Sequence, residues 1–190
     1  MRKVIAGLQA SLDGIIEGVD DPFDWVESWE DRYDLTPQID TCVLGRGMYP
    51  GYEEYWSAIQ ANPDGVSPVS GRVPTKGEIE WARFAARTPH VVVSKTTSQA
   101  GWKNTRFVRS LDEIRRMKQQ PGKDIYAVGG ATLISSLMND GLIDEIRLVV
   151  SPIVLGAGKA MFKDVKERHA LKFVRAEPQR SGTVRLTYMT

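Results

Sequence analysis

The chain has 190 residues, 42% apolar and 26% charged, with 17 glycines and 10 prolines, which fits one ordinary globular domain and excludes a disordered tail or a collagen-like fibre. Twenty-five Lys and Arg against 24 Asp and Glu leave a formal charge of +1, too balanced for a protein whose main partner is a nucleic-acid backbone or an anionic membrane. A chain this long buries roughly 70% of the surface its unfolded form exposes, so a core forms without disulfides or a structural metal. The single cysteine, Cys42, fits a reducing compartment. No run approaches the ~20 apolar residues of a membrane span, and Met1-Arg2-Lys3 lead into a strand-like run rather than a signal peptide. The expectation is one cytoplasmic domain over residues 1–190.

Val4 to Leu8 reads as a strand that ends in the turn residues Ser11-Leu12-Asp13-Gly14. Between Asp24 and Asp34, Trp25, Val26, Trp29 and Tyr33 recur at helical spacing, which predicts a helix opened by Pro22 and capped by Asp24. Thr41 to Leu44 is a short buried strand followed at once by Gly45-Arg46-Gly47, and Tyr52 to Ile59 has a helical pattern. From Ala61 to Val73 the chain is rich in Pro, Gly, Ser and Asn, the composition of a long surface loop. Thr75 to Arg87 reads as a helix with a capping box in Thr75-Lys76-Gly77-Glu78. Strands are expected over His90 to Ser94 and Arg106 to Val108. A helix over Ser110 to Gln119 would have a serine cap and Glu113 at the capping-box position. Ile125 to Val128 is a buried strand, Ala131 to Asn139 a helix closed by Gly141, and Ile143 to Val150 another strand. Leu171 to Ala176 and Val184 to Tyr188 form an antiparallel hairpin with a longer loop. Apolar strands alternating with helices predict an α/β fold, a mostly parallel central sheet flanked by helices with the antiparallel hairpin at one edge.

In such sheets ligands sit beyond the carboxyl ends of the strands. Three of those ends carry groups suited to an anion: Gly45-Arg46-Gly47-Met48, Ser94-Lys95-Thr96-Thr97 and Gly129-Gly130-Ala131-Thr132. Glycine pairs remove side chains where a ligand would approach, and a helix starting at Gly130 offers free N–H groups to phosphate. Arg46 and Lys95 supply charge; the Ser94, Thr96 and Thr97 hydroxyls supply hydrogen bonds. Taken singly, each group also reads as a tight turn, a solvated loop or a surface residue. Their succession on three strand ends points to an extended, phosphate-rich dinucleotide. Gly156-Ala157-Gly158-Lys159-Ala160-Met161 matches neither the dinucleotide fingerprint nor a phosphate loop. His90 and His169 are isolated and read as structural or solvent-facing, so no metal site is expected, and Cys42 inside an apolar strand reads as core packing.

Six segments in order carry a resemblance to a known family. They are Ala10-Ser11-Leu12-Asp13-Gly14, Leu44-Gly45-Arg46-Gly47-Met48-Tyr49, Val92-Val93-Ser94-Lys95-Thr96, Tyr126 to Leu133, Gly141 to Glu145, and Pro152 to Gly158. The chain resembles the dihydrofolate reductase-like family over nearly its whole length, in the branch that includes the reductase domain of bacterial riboflavin biosynthesis. The resemblance implies a dihydrofolate reductase-like α/β sheet, NADPH as hydride donor, a small-molecule substrate and commonly a homodimer. By the same resemblance Gly45, Arg46, Gly47 and Met48 lie at the adenosine side, with Arg46 near the 2′-phosphate, and Ser94, Lys95 and Thr96 complete that pocket. Gly129 and Gly130 resemble the family's glycine pair with its cis linkage, while Ala131, Thr132 and Leu133 give the pyrophosphate a helix N-terminus. Two basic side chains without an acidic one favour NADPH over NADH.

Asp13 is then the candidate acid or substrate-orienting carboxylate, and Trp25 and Tyr49, with Trp29 and Tyr52, are candidates to line a flat apolar substrate pocket. The sequence departs from the family at two points. Asp24, Glu27 and Asp31 do not match the folate-binding pattern, and Ile15 and Ile16 stand where the riboflavin branch has a basic residue after Asp-Gly. The expected activity is therefore an NADPH-dependent reductase of a small heterocyclic or carbonyl/imine substrate, related to 5-amino-6-(5-phosphoribosylamino)uracil reductase. The alternatives are an NADP-binding module without turnover and a structural dimer.

Overall fold

The computed structural model describes residues 1–20, 23–96 and 99–190. Its centre is an eight-stranded sheet built from β1 (Val4–Ser11), β3 (Ile39–Gly45), β4 (His90–Val93), β5 (Thr105–Val108), β6 (Asp124–Gly129), β7 (Glu145–Ser151), β9 (Lys172–Pro178) and β10 (Val184–Met189). The order is β5-β4-β3-β6-β1-β7-β10-β9. The first six run parallel, β10 is antiparallel to β7, and β9 is antiparallel to β10. Two short strands, β2 (Ile15–Glu17) and β8 (Lys159–Ala160), pair separately. The expected α/β architecture and closing hairpin are both present.

β1 lies at the centre and is buried at every position, so its alternating side chains feed two cores. Val4, Ala6, Leu8 and Ala10 join a core closed by α3 (Asp112–Gln119) and α4 (Ala131–Asn139), through residues such as Ile114, Met117, Ile134 and Leu137. Ile5 joins an aromatic core under α1 (Tyr49–Ala61) and α2 (Lys76–Ala85), where Tyr52, Trp56, Trp81 and Phe84 pack. Gly7 faces the same side, and a Cβ there would lie 2.9 Å from the Tyr126 ring and 3.2 Å from the Tyr33 ring. Only glycine lets those rings meet the sheet. Cys42 is fully buried in the aromatic core, where burial pushes its thiol far above the usual range. Among the described residues no helix is long and apolar enough to cross a membrane.

The structure corrects several expectations. Residues 24–34 form turns and irregular backbone, not a helix. The Asp31 carboxylate takes the N–H groups of Tyr33, Leu35 and Thr36 at 2.7–3.1 Å, which diverts these donors from a helical ladder. Pro22, expected to open that helix, lies outside the described residues. α2 does carry the Thr75–Glu78 capping box. α3 does not use a serine cap: its N-cap is Leu111, and Ser110 hydrogen-bonds the Asp112 carboxylate at 3.3 Å instead.

Candidate active site

The carboxyl ends of β3, β4 and β5 stand side by side because the register pairs Gly45 with Val93 and Val93 with Val108. The next residue on each chain continues the ladder: the Arg46 N–H donates to the Val93 carbonyl at 3.2 Å and the Ser94 N–H to the Val108 carbonyl at 2.9 Å. Arg46 and Lys95 are exposed beyond this edge, as is Thr96, whose N–H donates to the buried Ser94 hydroxyl at 3.3 Å. Thr97 lies outside the described residues. Arg109, which the sequence reading missed, follows β5 and donates from its guanidinium to the Ser94 carbonyl at 3.0 Å. Its signal was available, since a basic residue directly after a strand is the pattern already seen at Arg46 and Lys95. Three cations thus share one strand-end rim.

β6 delivers the glycine pair to this rim, with Gly129 beside Leu44 in the ladder. The Gly129–Gly130 peptide bond is cis. A Cβ on Gly45 would lie 3.4 Å from the Leu133 Cβ, whereas one on Gly47 or Gly130 would meet nothing within 4 Å. Gly45 therefore lets α4 approach the sheet, and Gly47 and Gly130 leave open backbone beside it. Met48 flanks the pair, its sulfur 3.5 Å from where a Gly129 Cβ would be. α4 begins at Ala131 with Gly130 as N-cap and no side-chain cap, so its first-turn N–H groups are available to an anion. Ala131 and Leu133 are buried and seat the helix, and Thr132 is exposed. Open glycine backbone, uncapped helix amides and adjacent cations fit a dinucleotide's pyrophosphate and its additional phosphate.

At the other end of the site, Asp13 is exposed but not free. It accepts from the Ser11 hydroxyl at 2.6 Å and from the N–H groups of Leu155 and Gly156 at 3.2 and 2.8 Å. The Ser11 hydroxyl above all, then the Gly156 N–H, bring its pKa down to about 2. An exposed carboxyl with three donors is ionised near neutrality, an arrangement that suits the substrate-orienting carboxylate of the expectation better than the acid. The Leu12 N–H adds a bond to the Ile153 carbonyl at 2.8 Å, so residues 152–156 form a strap clasped to the end of β1. Downstream, Gly158 has φ +141° and a Cβ there would lie 2.2 Å from the Glu17 carbonyl oxygen; any side chain would separate β2 from β8.

Tyr49, expected to line a substrate pocket, is instead a core residue. Tyr49 is 2% exposed, donates its hydroxyl to Thr105 at 2.9 Å and sets its ring edge-on to Phe107. Because α1 starts at Tyr49, Tyr49, Tyr52, Trp56 and Ile59 form one helical stripe facing the sheet. Tyr52 is likewise core, its hydroxyl accepting from the Trp81 indole at 3.2 Å. Trp25 is half-buried in the irregular segment, and Trp29 packs edge-on with Phe23. Tyr49, Tyr52 and Trp29 all belong to the aromatic core under α1 and α2. A further polar group, Gln9, faces this segment from β1 and donates to the Ser28 carbonyl at 2.9 Å; nothing in its sequence context singled it out. Two surface clefts, of about 350 Å³ between α1 and α2 and about 320 Å³ beside Asp31 and Trp81, lie away from the strand ends.

The sheet order, the antiparallel closing strands and the glycine pair define the dihydrofolate reductase-like class of α/β folds. Solved structures agree: a protein assigned to riboflavin biosynthesis from Shewanella sp. PV-4 superposes with a TM-score of 0.70 at 21% identity, covering 98% of both chains. Dihydrofolate reductase from Enterococcus faecalis, complexed with NADP(H), superposes with a TM-score of 0.58 at 15% identity, covering 98% of this chain and 95% of that one. The deaminase/5-amino-6-(5-phosphoribosylamino)uracil reductase of Thermotoga maritima gives a TM-score of 0.61 at 16% identity, covering 99% of this chain and 56% of that one. More particularly, residues 2–184 match the RibD C-terminal domain family, and the chain belongs to it. The uncharacterized protein YyaP of Bacillus subtilis is 35% identical over 189 residues, 98% of this chain and 94% of that protein.

Proposed function

We propose that the chain is an NADPH-dependent reductase of a small heterocyclic or carbonyl/imine compound, working as a cytoplasmic homodimer. The observation that carries this reading is the row of Arg46, Lys95 and Arg109 on adjacent strand ends beside the open glycine backbone. Arg46, Lys95, Arg109 and the Ser94 and Thr96 hydroxyls would hold the adenosine-side phosphate. Gly47, Gly130 and the first amides of α4, with Thr132, would hold the pyrophosphate. Bound NADPH would supply a hydride to the electrophilic carbon of the substrate's C=N or C=O group. The protein's share is positioning and electrostatics. Asp13, ionised, fixes the strap or accepts a hydrogen bond from substrate, and the proton for the reduced heteroatom comes from elsewhere than its carboxyl. Trp25 remains a candidate substrate contact.

Calorimetric titration tests the cofactor. NADPH should bind more tightly than NADH, and Arg46→Ala or Arg109→Ala should weaken NADPH roughly tenfold while leaving NADH nearly unchanged, since a charge-assisted bond is lost only in the former. Equal affinity for the two nucleotides would sink the reading.

A second reading, an NADP-binding module without turnover, is favoured by the engagement of the Asp13 carboxylate with Ser11, Leu155 and Gly156, which suits a structural clasp. Steady NADPH oxidation with a panel of imines and carbonyl compounds separates the two. An enzyme should lose turnover in Asp13→Asn while NADPH affinity survives, and its rate profile between about pH 5 and 8 should show no limb from this carboxyl.

A further inference from the structure

Gln9 follows Ile5 and Gly7 on the face of β1 that meets the aromatic core, and only half of its carboxamide is used. The residue is 6% exposed. Its Nε2 donates to the Ser28 carbonyl at 2.9 Å, a tie to the irregular segment above. Its Oε1 is buried and has no hydrogen-bond partner among the described residues. Turning the carboxamide over brings no relief, because the Ser28 carbonyl only accepts and would then face an oxygen. The neighbours on this face offer no donor either. Val149 is level with Gln9 on β7, and Tyr126 spends its hydroxyl on the Gly7 carbonyl at 3.3 Å. The tie to Ser28 explains the nitrogen; it does not explain an acceptor kept dry and unpaired, which costs stability.

The position of Gln9 gives that oxygen a use. One residue earlier, the Leu8 side chain comes to 3.8 Å from where a Gly129 Cβ would be, so β1 touches the glycine pair there. Two residues later, Ser11 donates to the Asp13 carboxylate at 2.6 Å. Gln9 thus lies on the stretch of β1 between the open glycine backbone and Asp13. We infer that Gln9 is a specificity-determining residue of the substrate site, its Oε1 accepting a hydrogen bond from an N–H on the substrate ring. The inference deepens the proposed function and rests on its substrate end. It narrows the substrate to a heterocycle that carries a ring N–H as well as the reducible C=N or C=O group. A ligand of the same shape without the donor leaves the oxygen unpaired, which is how a built polar site rejects an isostere. The irregular segment closes over the oxygen, so the donor reaches it as that segment parts near Ser28.

Two probes of one shape test it: quinoxalinone, a cyclic imine with a ring N–H, and benzoxazinone, the same bicycle with a ring oxygen in place of that N–H. Calorimetry, with and without NADP+, should find quinoxalinone bound roughly tenfold more tightly by wild type, the worth of one hydrogen bond. In Gln9→Leu the two affinities should become nearly equal while NADPH affinity is unchanged. Equal affinities in wild type, a preference that survives Gln9→Leu, or no binding of quinoxalinone overturns the inference. Should Gln9→Leu fail to fold, wild type carrying isotope-labelled glutamine decides by magnetic resonance. Quinoxalinone should shift the Gln9 carboxamide carbon downfield and benzoxazinone should not; a signal unmoved by quinoxalinone refutes the bond. NADPH oxidation is read separately. Preference without turnover would leave the role of Gln9 standing and sink the reductase, whereas turnover without preference would do the reverse.

Discussion

Two coverings share the aromatic face of the sheet, and they are built by different means. α1 and α2 satisfy their own backbones, which frees Tyr52, Trp56, Trp81 and Phe84 to pack. The 23–38 segment has no helix, and side chains from within it and from elsewhere do the work of a ladder. Asp31 takes three backbone N–H groups and the Thr36 hydroxyl. Glu78 takes the Trp29 N–H at 3.1 Å, and the carbonyls of Ser28, Arg32 and Tyr33 accept from Gln9, Arg185 and Arg147. Order in the first covering comes from backbone ladders, whereas order in the second combines Asp31 within the segment with groups borrowed from β1, β7, β10 and α2.

Glu78 belongs to both coverings, so it should be the most damaging residue to remove. It is fully buried and accepts from Arg72, Thr75, Trp29 and Tyr55. Burial opposes its ionisation, but these donors prevail and hold its carboxyl below the usual range. Its contribution is present above the usual carboxyl pKa and lost as pH falls through the depressed value. Glu78→Ala should cost about 4 kcal/mol in denaturant unfolding; a cost near zero would mean the two coverings are independent.

His90 probes the helical covering alone. Wedged between Tyr52 and Trp102, it is driven down to about 4 by burial, against small opposing effects of the Thr88 backbone and Glu53. The unfolded chain takes up the proton first, so stability is full above pH 6.5 and falls as pH drops toward 4, by about 3 kcal/mol. His90→Phe should flatten that window. Asp31→Ala should cost about 2 kcal/mol and speed hydrogen exchange at Leu35 and Thr36 while leaving α1 protected. Loss of protection in α1 as well would erase the contrast. The smallest effect belongs to Thr75→Ala, about 1 kcal/mol for one N-cap, felt at α2 and at Glu30, which accepts from the Thr75 hydroxyl at 2.9 Å.

The contrast also explains what could be read in advance. α2 and α4 were legible because their signals are local: a Thr-x-x-Glu box at 75–78 and an apolar run ended by Gly141. The cationic strand-end rim was legible because glycine and basic residues directly follow strands. The 24–34 stretch was not, because its aromatic spacing is helical while the bonds that decide its shape come from the Asp31 carboxylate and from Gln9, Glu78, Arg147 and Arg185, the last four distant in sequence. Tyr49 adjoins a strand-end motif but is the first residue of a core-facing helix. The clasp of Asp13 was not legible either, because two of its three donors, the Leu155 and Gly156 N–H groups, lie 142 and 143 residues away.

The enclosure of Cys42 has a practical side. With no other cysteine in the chain and its sulfur walled in beside Tyr52, thiol reagents reach it only when β3 is opened, so its labelling rate is a built-in meter of how often the folded molecule breathes. The same enclosure lets a dye or spin probe be attached at any introduced surface cysteine without first mutating the native one.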